Sequence, residues 1–239
     1  MSAHPPDGQP PATPSRGLVI AVDGPSGSGK STVSRGVAER LGLRYLDTGA
    51  MYRALTWEVL RRGVDPADAG AVTAVAARLA LQVGTDVRGP TVRVGDTDVS
   101  AAIRGPAVTA AVSAVSAIPA VRALLVQRQR ELIGDGAIVV EGRDIGTVVA
   151  PDAPVKVFLT ADPAVRARRR ALETDGATSR GAVERAHVAL ARRDAVDSSR
   201  PVSPLTRAAD ALHLDTTTMT AGEAVDRVVA AAIRLTASP

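Results

Sequence analysis

The sequence predicts an α/β protein built around a parallel sheet, and three observations lead there. Short apolar runs that end in polar residues alternate with helical stretches along most of the 239 residues. A Gly-rich turn joins the first of those runs directly to a helix. The polar ends of the runs, Asp23, Asp47, Glu141 and Thr160, fall where such sheets bind ligands, beyond the carboxyl ends of their strands.

Taken in order, residues 1–16 hold five Pro among Ser, Gly and Asp with no apolar periodicity, so a disordered tail is expected there. Residues 18–22 form the first buried strand, ended by Asp23. A helix follows from Lys30 to Leu41, stopped by Gly42. Further strands are expected at 44–47, 137–141, 155–159 and 211–214, with helices at 51–62 and 121–133 between them. Residues 83–99 alternate apolar and polar around Arg88-Gly89-Pro90 and predict an inserted antiparallel hairpin. The charged stretch 162–200 reads as two helices joined by a mobile loop over 174–181.

Composition narrows the chemistry. Hydrophobic residues make up 45% but aromatics only 2%, so the core must be aliphatic and base-stacking platforms are nearly excluded. The chain has no Cys, which removes disulfides, thiolate nucleophiles and Cys-ligated zinc together. Its three His residues, His4, His187 and His213, are too scattered to suggest a metal site. No apolar run reaches membrane-spanning length and no signal-peptide order is visible, so a cytoplasmic enzyme with no membrane partner is expected. The net charge of +4 favours anionic partners, yet no nucleic-acid-binding module is apparent and none is expected to bind. Almost every basic residue is Arg; only Lys30 and Lys156 are Lys, and one of them sits in the Gly-rich turn.

That turn, Gly24-Pro25-Ser26-Gly27-Ser28-Gly29-Lys30-Ser31, fits G-x-x-x-x-G-K-[ST] in the required place, after a strand and opening a helix. Its glycines let backbone amides converge on phosphate oxygens. The helix N-terminus adds a favourable dipole, Lys30 neutralises charge, and Ser31 offers a hydroxyl to Mg²⁺. Thr32 completes this ATP-binding set.

Phosphoryl transfer to a second nucleotide needs more cations than one loop lysine. They stand at strand ends. Asp47-Thr48-Gly49-Ala50-Met51-Tyr52-Arg53 leaves the second strand, and Glu141-Gly142-Arg143-Asp144-Ile145-Gly146 leaves another. Singly, each has a plain structural alternative: Arg53 on a solvated helix face, Arg143 and Asp144 as a surface ion pair, Thr48 as a cap. The run Arg166, Arg168, Arg169, Arg170 is weaker still, because a charged run usually faces solvent.

Together with Thr147-Val148-Val149, Arg193-Asp194-Ala195-Val196-Asp197-Ser198-Ser199-Arg200 and Pro204-Leu205, these motifs resemble the bacterial cytidylate kinase family, in order, from about Leu18 to the last helix. The resemblance implies a three-layer P-loop nucleoside monophosphate kinase fold. Its core would be 17–62 and 124–239, with a β-containing CMP-binding insert at about 63–123 and a helical lid at about 162–200. It implies ATP-dependent phosphorylation of CMP and dCMP by in-line transfer, with Mg²⁺, in a monomer. Thr48, Arg53 and Arg143 would hold the acceptor phosphate; Ser113, Arg122, Asp144 and Arg200 would face cytosine; Arg193 and Asp197 would meet the ribose. Lys30, Arg143 and Arg193 would be catalytic, Arg166 and Arg170 would act from the lid on ATP, and Ser31 would serve Mg²⁺ with Glu141 through water. Glu141 stands where some members carry Asp. Other P-loop small-molecule kinases and nucleotide-dependent switches are the rival readings.

Overall fold

A computed structural model describes residues 17–236, so the expected tail at 1–16 lies outside the described residues. Five strands, β1 (Val19–Asp23), β2 (Arg44–Asp47), β6 (Ile138–Gly142), β7 (Val155–Thr160) and β8 (Leu212–Asp215), form one sheet in the order β2-β6-β1-β7-β8. Every neighbouring pair in it is parallel. Side chains of a strand alternate between faces, and here the alternation sorts the core in two. Ile20, Val22, Tyr45, Val139, Val157 and Leu159 join one cluster with α1 (Lys30–Leu41) and α8 (Ala221–Thr236). Ala21, Leu46, Ile138 and Val140 join the other, against α2 (Thr48–Arg61) and the helices that follow. The result is helix, sheet, helix in three layers.

Strand β1 pairs on both edges, and Ile20, Ala21 and Val22 are fully buried. A strand covered on both faces loses the polar–apolar alternation of a surface strand, which is why its sequence is a continuous apolar run. Leu46, also fully buried, shows what such positions contribute. Leu46→Ala is expected to cost about 2–5 kcal/mol, seen as a lower urea midpoint at unchanged slope.

Between α2 and β6 lies the insert. It contains α3 (Ala69–Ala77), the small antiparallel sheet β3 (Leu81–Val83), β4 (Val92–Val94) and β5 (Thr97–Asp98), then α4 (Pro106–Ala117) and α5 (Pro119–Ile133). The expected hairpin is thus three strands. Gly95, in the left-handed region at φ 56°, turns the chain at Gly95-Asp96, so the alternation around it belongs to two short strands rather than one. Val72, Leu81, Val92, Val112 and Leu125 of the insert share a core cluster with Leu46 and Ile138 of the sheet. Both α4 and α5 begin with Pro, whose fixed φ suits a first helical turn.

After β7, α6 (Pro163–Asp175) and α7 (Arg180–Ser199) pack on each other through a separate small cluster of Ala167, Ala171, Ala182, Ala186 and Leu190. Asp162 caps α6 and Ser179 caps α7 through backbone amides. No single described helix is long and apolar enough to cross a membrane.

Candidate functional site

The register of the sheet brings the polar strand ends to one edge: Asp23 lies opposite Gly142, Asp47 opposite Glu141, and Thr160 opposite Asp215. A cleft of about 750 Å³ opens there. Ten basic and five acidic side chains line it, an imbalance that calls for a polyanionic ligand.

At its donor end the loop 24–31 wraps the N-terminus of α1. Gly24 must be glycine: its φ is 148°, and a Cβ would sit 2.2 Å from the Leu159 carbonyl oxygen. Gly29 at the N-cap has no side chain to cap the first amides of α1, which leaves them for a ligand. Lys30 is buried and donates to the Pro25 carbonyl at 2.8 Å. Burial, reinforced by Arg143, pushes its ammonium well below the ordinary lysine range, with Glu141 opposing. Such a cation gains most from an arriving phosphate.

Beside the loop, Ser31 Oγ donates to Glu141 Oε2 at 3.1 Å, the Tyr45 hydroxyl donates to Glu141 Oε1, and Thr48 Oγ1 donates to the Glu141 carbonyl at 2.7 Å. Burial and neighbouring Asp47 raise the Glu141 carboxyl. Among the described residues no group of three or more His, Cys, Asp or Glu could hold a metal. One hydroxyl and one carboxylate do suit Mg²⁺, which keeps waters and takes phosphate oxygens for its remaining positions.

Farther along, Asp197 is shared by three arginines: Arg143 Nε at 2.9 Å, Arg200 Nη2 at 3.3 Å and Arg193 Nε at 3.9 Å. Burial works to raise its carboxyl, but Arg143, Arg200 and Arg193 outweigh that and hold it below the usual range. Burial and Arg143 push Arg193 down to about 9. Arg53, buried on α2, donates to the Ile103 carbonyl at 3.1 Å and to Thr109 Oγ1 at 2.9 Å. Its guanidinium is pushed down to about 10 by burial, Arg104 and Arg170. One carboxylate does not balance four guanidinium groups, and the surplus suits a phosphate.

Beyond the cluster, Arg122 Nη2 meets Asp144 Oδ2 at 2.6 Å, with 3% and 6% of the two side chains exposed. The Arg122 guanidinium also lies 5.3 Å from the Tyr52 ring centroid and donates to the Ser116 carbonyl at 3.2 Å.

The cytidylate kinase family profile matches residues 20–234. The chain belongs to the cytidylate kinase family. The cytidylate kinase of Mycobacterium avium (strain 104) is 54% identical over 212 residues, 88% of this chain and 93% of that protein. Those of Nocardia farcinica (strain IFM 10152) and Streptomyces avermitilis are 54% and 50% identical, each over 89% of this chain and over 94% and 91% of those proteins.

Within this cytidylate kinase fold, the cleft wall includes Ser26 to Thr32, Thr48, Arg53, Arg122, Arg143, Asp144, Arg170, Arg193, Asp197 and Arg200 of the expected set. Gly24 and Pro25, at the start of the loop, are not in the wall; Gly24 packs against the Leu159 carbonyl and the Pro25 carbonyl accepts from Lys30. Two expected residues stand elsewhere. Ser113 is outside the wall; its carbonyl accepts from Ser116 Oγ at 3.2 Å, and Ser116, one helical turn on, lines the cleft. Arg166 is turned under the loop, donating to the Ser26 carbonyl at 3.2 Å and to Asp194 at 2.5 Å, while Arg169 reaches the wall and donates to the Thr216 carbonyl at 2.7 Å. In each case the two residues are three apart on one helix face, so how the helix packs decides which turn meets the cleft.

Several wall residues were not among the expected site residues. Arg104, paired with Asp47 at 2.7 Å, comes from the insert, and Thr216 and Thr220 come from the segment around β8. Asp23 was legible only as a strand end, yet it accepts from the Ile145 and Gly146 amides, each at 2.8 Å. Burial pushes its carboxyl up to about 6 although both amides pull it down.

Proposed function

We propose that the chain transfers the γ-phosphoryl group of ATP to CMP and dCMP, giving ADP with CDP or dCDP. One observation carries the acceptor assignment: a single cleft has the phosphate loop at one end and the buried Arg122–Asp144 pair at the other. A carboxylate accepts from the exocyclic amino group of cytosine, while a guanidinium donates to its ring nitrogen and carbonyl oxygen. Uracil offers an acceptor where cytosine offers a donor, which leaves Asp144 unpaired and disfavours UMP by about 1–3 kcal/mol.

In this reading the loop amides and Lys30 hold the donor phosphates. Thr48, Arg53 and Arg143 hold the acceptor phosphate, and Arg193 and Asp197 meet the ribose. Ser116 and Arg200 flank the base. The attacking phosphate oxygen is already ionised, so no side chain need act as base, and catalysis is positioning and charge neutralisation. Bound Mg²⁺, held through Ser31 and by Glu141 through water, would add charge neutralisation at the phosphate oxygens. Closure of α6 and α7 would exclude water and bring Arg169 and Arg170 onto ATP. Action as a monomer, residence in the cytoplasm and independence of nucleic acid belong to the same reading.

The test is ADP release from Mg-ATP with CMP, dCMP, UMP or AMP as acceptor. Turnover is expected on CMP and dCMP and weakly on UMP. Tight ATP binding with no turnover on any pyrimidine monophosphate would remove the acceptor assignment and leave the donor site intact.

A further inference from the structure

We infer that Asp23 is a positioning residue: it fixes the turn that carries Arg143 and Asp144 to the phosphate loop, and so sets the acceptor in line with the donor. The inference rests on the acceptor assignment above. Asp23 ends β1, and the next residue, Gly24, begins the loop. Its two carboxylate oxygens take separate amides, Oδ1 from Ile145 and Oδ2 from Gly146, both at 2.8 Å. Those amides begin a π-helical turn, Ile145–Val149, closed by Ala150 N donating to the Ile145 carbonyl at 2.8 Å. Such turns are rare and concentrate at functional sites.

The same turn is gripped at its other end. Arg130 of α5 donates to the Val148 carbonyl at 2.7 Å and the Val149 carbonyl at 3.1 Å. Arg122, eight residues earlier on α5, holds the Asp144 carboxylate just before the turn. Amides, carbonyls and the leading side chain are therefore all fixed, and Asp23 alone of these partners belongs to the strand that runs into the phosphate loop. Gly146 lies close to β7: a Cβ there would come within 3.2 Å of Lys156 Cδ. A rigid bridge of this kind holds two reacting groups to a fraction of an ångström, the tolerance in-line transfer demands.

Asp23→Asn keeps the shape but turns an amide NH₂ toward a backbone N–H. It is expected to lower kcat/KM for CMP by about tenfold, with both KM and kcat affected, and to narrow the CMP-to-UMP preference. The Kd of ATP measured without acceptor should stay within about twofold of wild type. Amide hydrogen exchange at Ile145 and Gly146 should quicken while exchange in the loop does not. Arg130→Met, which touches the turn but not the loop, should give the same acceptor-side defect, and it carries the comparison if Asp23→Asn does not fold. An equal loss of ATP and CMP binding, or faster exchange with unchanged kinetics, would overturn the role of Asp23. Absence of CMP turnover in wild type, measured in the same assay, would instead sink the acceptor assignment and this inference with it.

Discussion

Replacing Lys30 by Met is expected to reduce turnover by about 10³-fold or more while leaving the fold intact. Lys30 opens α1, is buried, and donates to the Pro25 carbonyl. Burial and Arg143 work against its charge, while Glu141 and Asp23 favour it. Donor phosphates would relieve that strain, most of all as charge develops on the transferring oxygens. Met matches Lys as far as Cε and tolerates burial, so the variant without ligand should melt no lower than wild type. Single-turnover rates at saturating ATP and CMP, with a thermal melt in parallel, separate the two effects. Normal turnover in a well-folded variant would take Lys30 out of the chemistry.

The sheet was legible because its strands are covered on both faces: β1 as an aliphatic run, β2 as the short Arg44–Asp47 segment, with boundaries within about a residue of those observed. Helix α1 was legible at both ends, from Lys30 to the Gly42 cap at φ 63°, because its loop and its terminator each need glycine. The insert was harder. Its strands are two or three residues long, too short for a periodic pattern to declare where one ends, and Gly95-Asp96 passed as part of a strand. The π-turn carries no sequence signature at all: its widened backbone is held by Asp23 and Arg130, each more than a dozen residues away in sequence.

The site divides along the same line. Residues of the phosphate loop and of the strand-end motifs could be named because local spacing and family resemblance point to them. Ser116 could not, and Arg169 only as one of a run of four, because each lies three residues from an expected position on the same helix, and only packing decides which turn faces the cleft. Arg104 reaches Asp47 across 57 residues of sequence, through a 3-10 turn at Ala102–Arg104 that nothing local announces. Long-range partners of this sort are fixed by how the insert sits on α2, not by any motif.

Asp144→Ala is expected to lower kcat/KM for CMP by about a hundredfold and to change UMP far less, so that discrimination between the bases largely disappears. The same change leaves Arg122 almost wholly buried without its carboxylate, which should destabilise the protein by about 3–5 kcal/mol. Stability loss alone would lower rates on both substrates together, so the ratio of the two kcat/KM values, not either one, reports base reading. The double variant Asp144→Ala, Arg122→Met separates the effects further. Removing both charges should recover much of the lost stability, since apolar side chains fill such a site without an uncompensated ion. It should not recover cytosine preference, because neither the acceptor for the amino group nor the donor to the ring nitrogen remains. If the double variant regained the wild-type CMP-to-UMP ratio, the base would have to be read elsewhere, and Tyr52, Ser116 and Arg200 are polar groups that remain in the cleft wall.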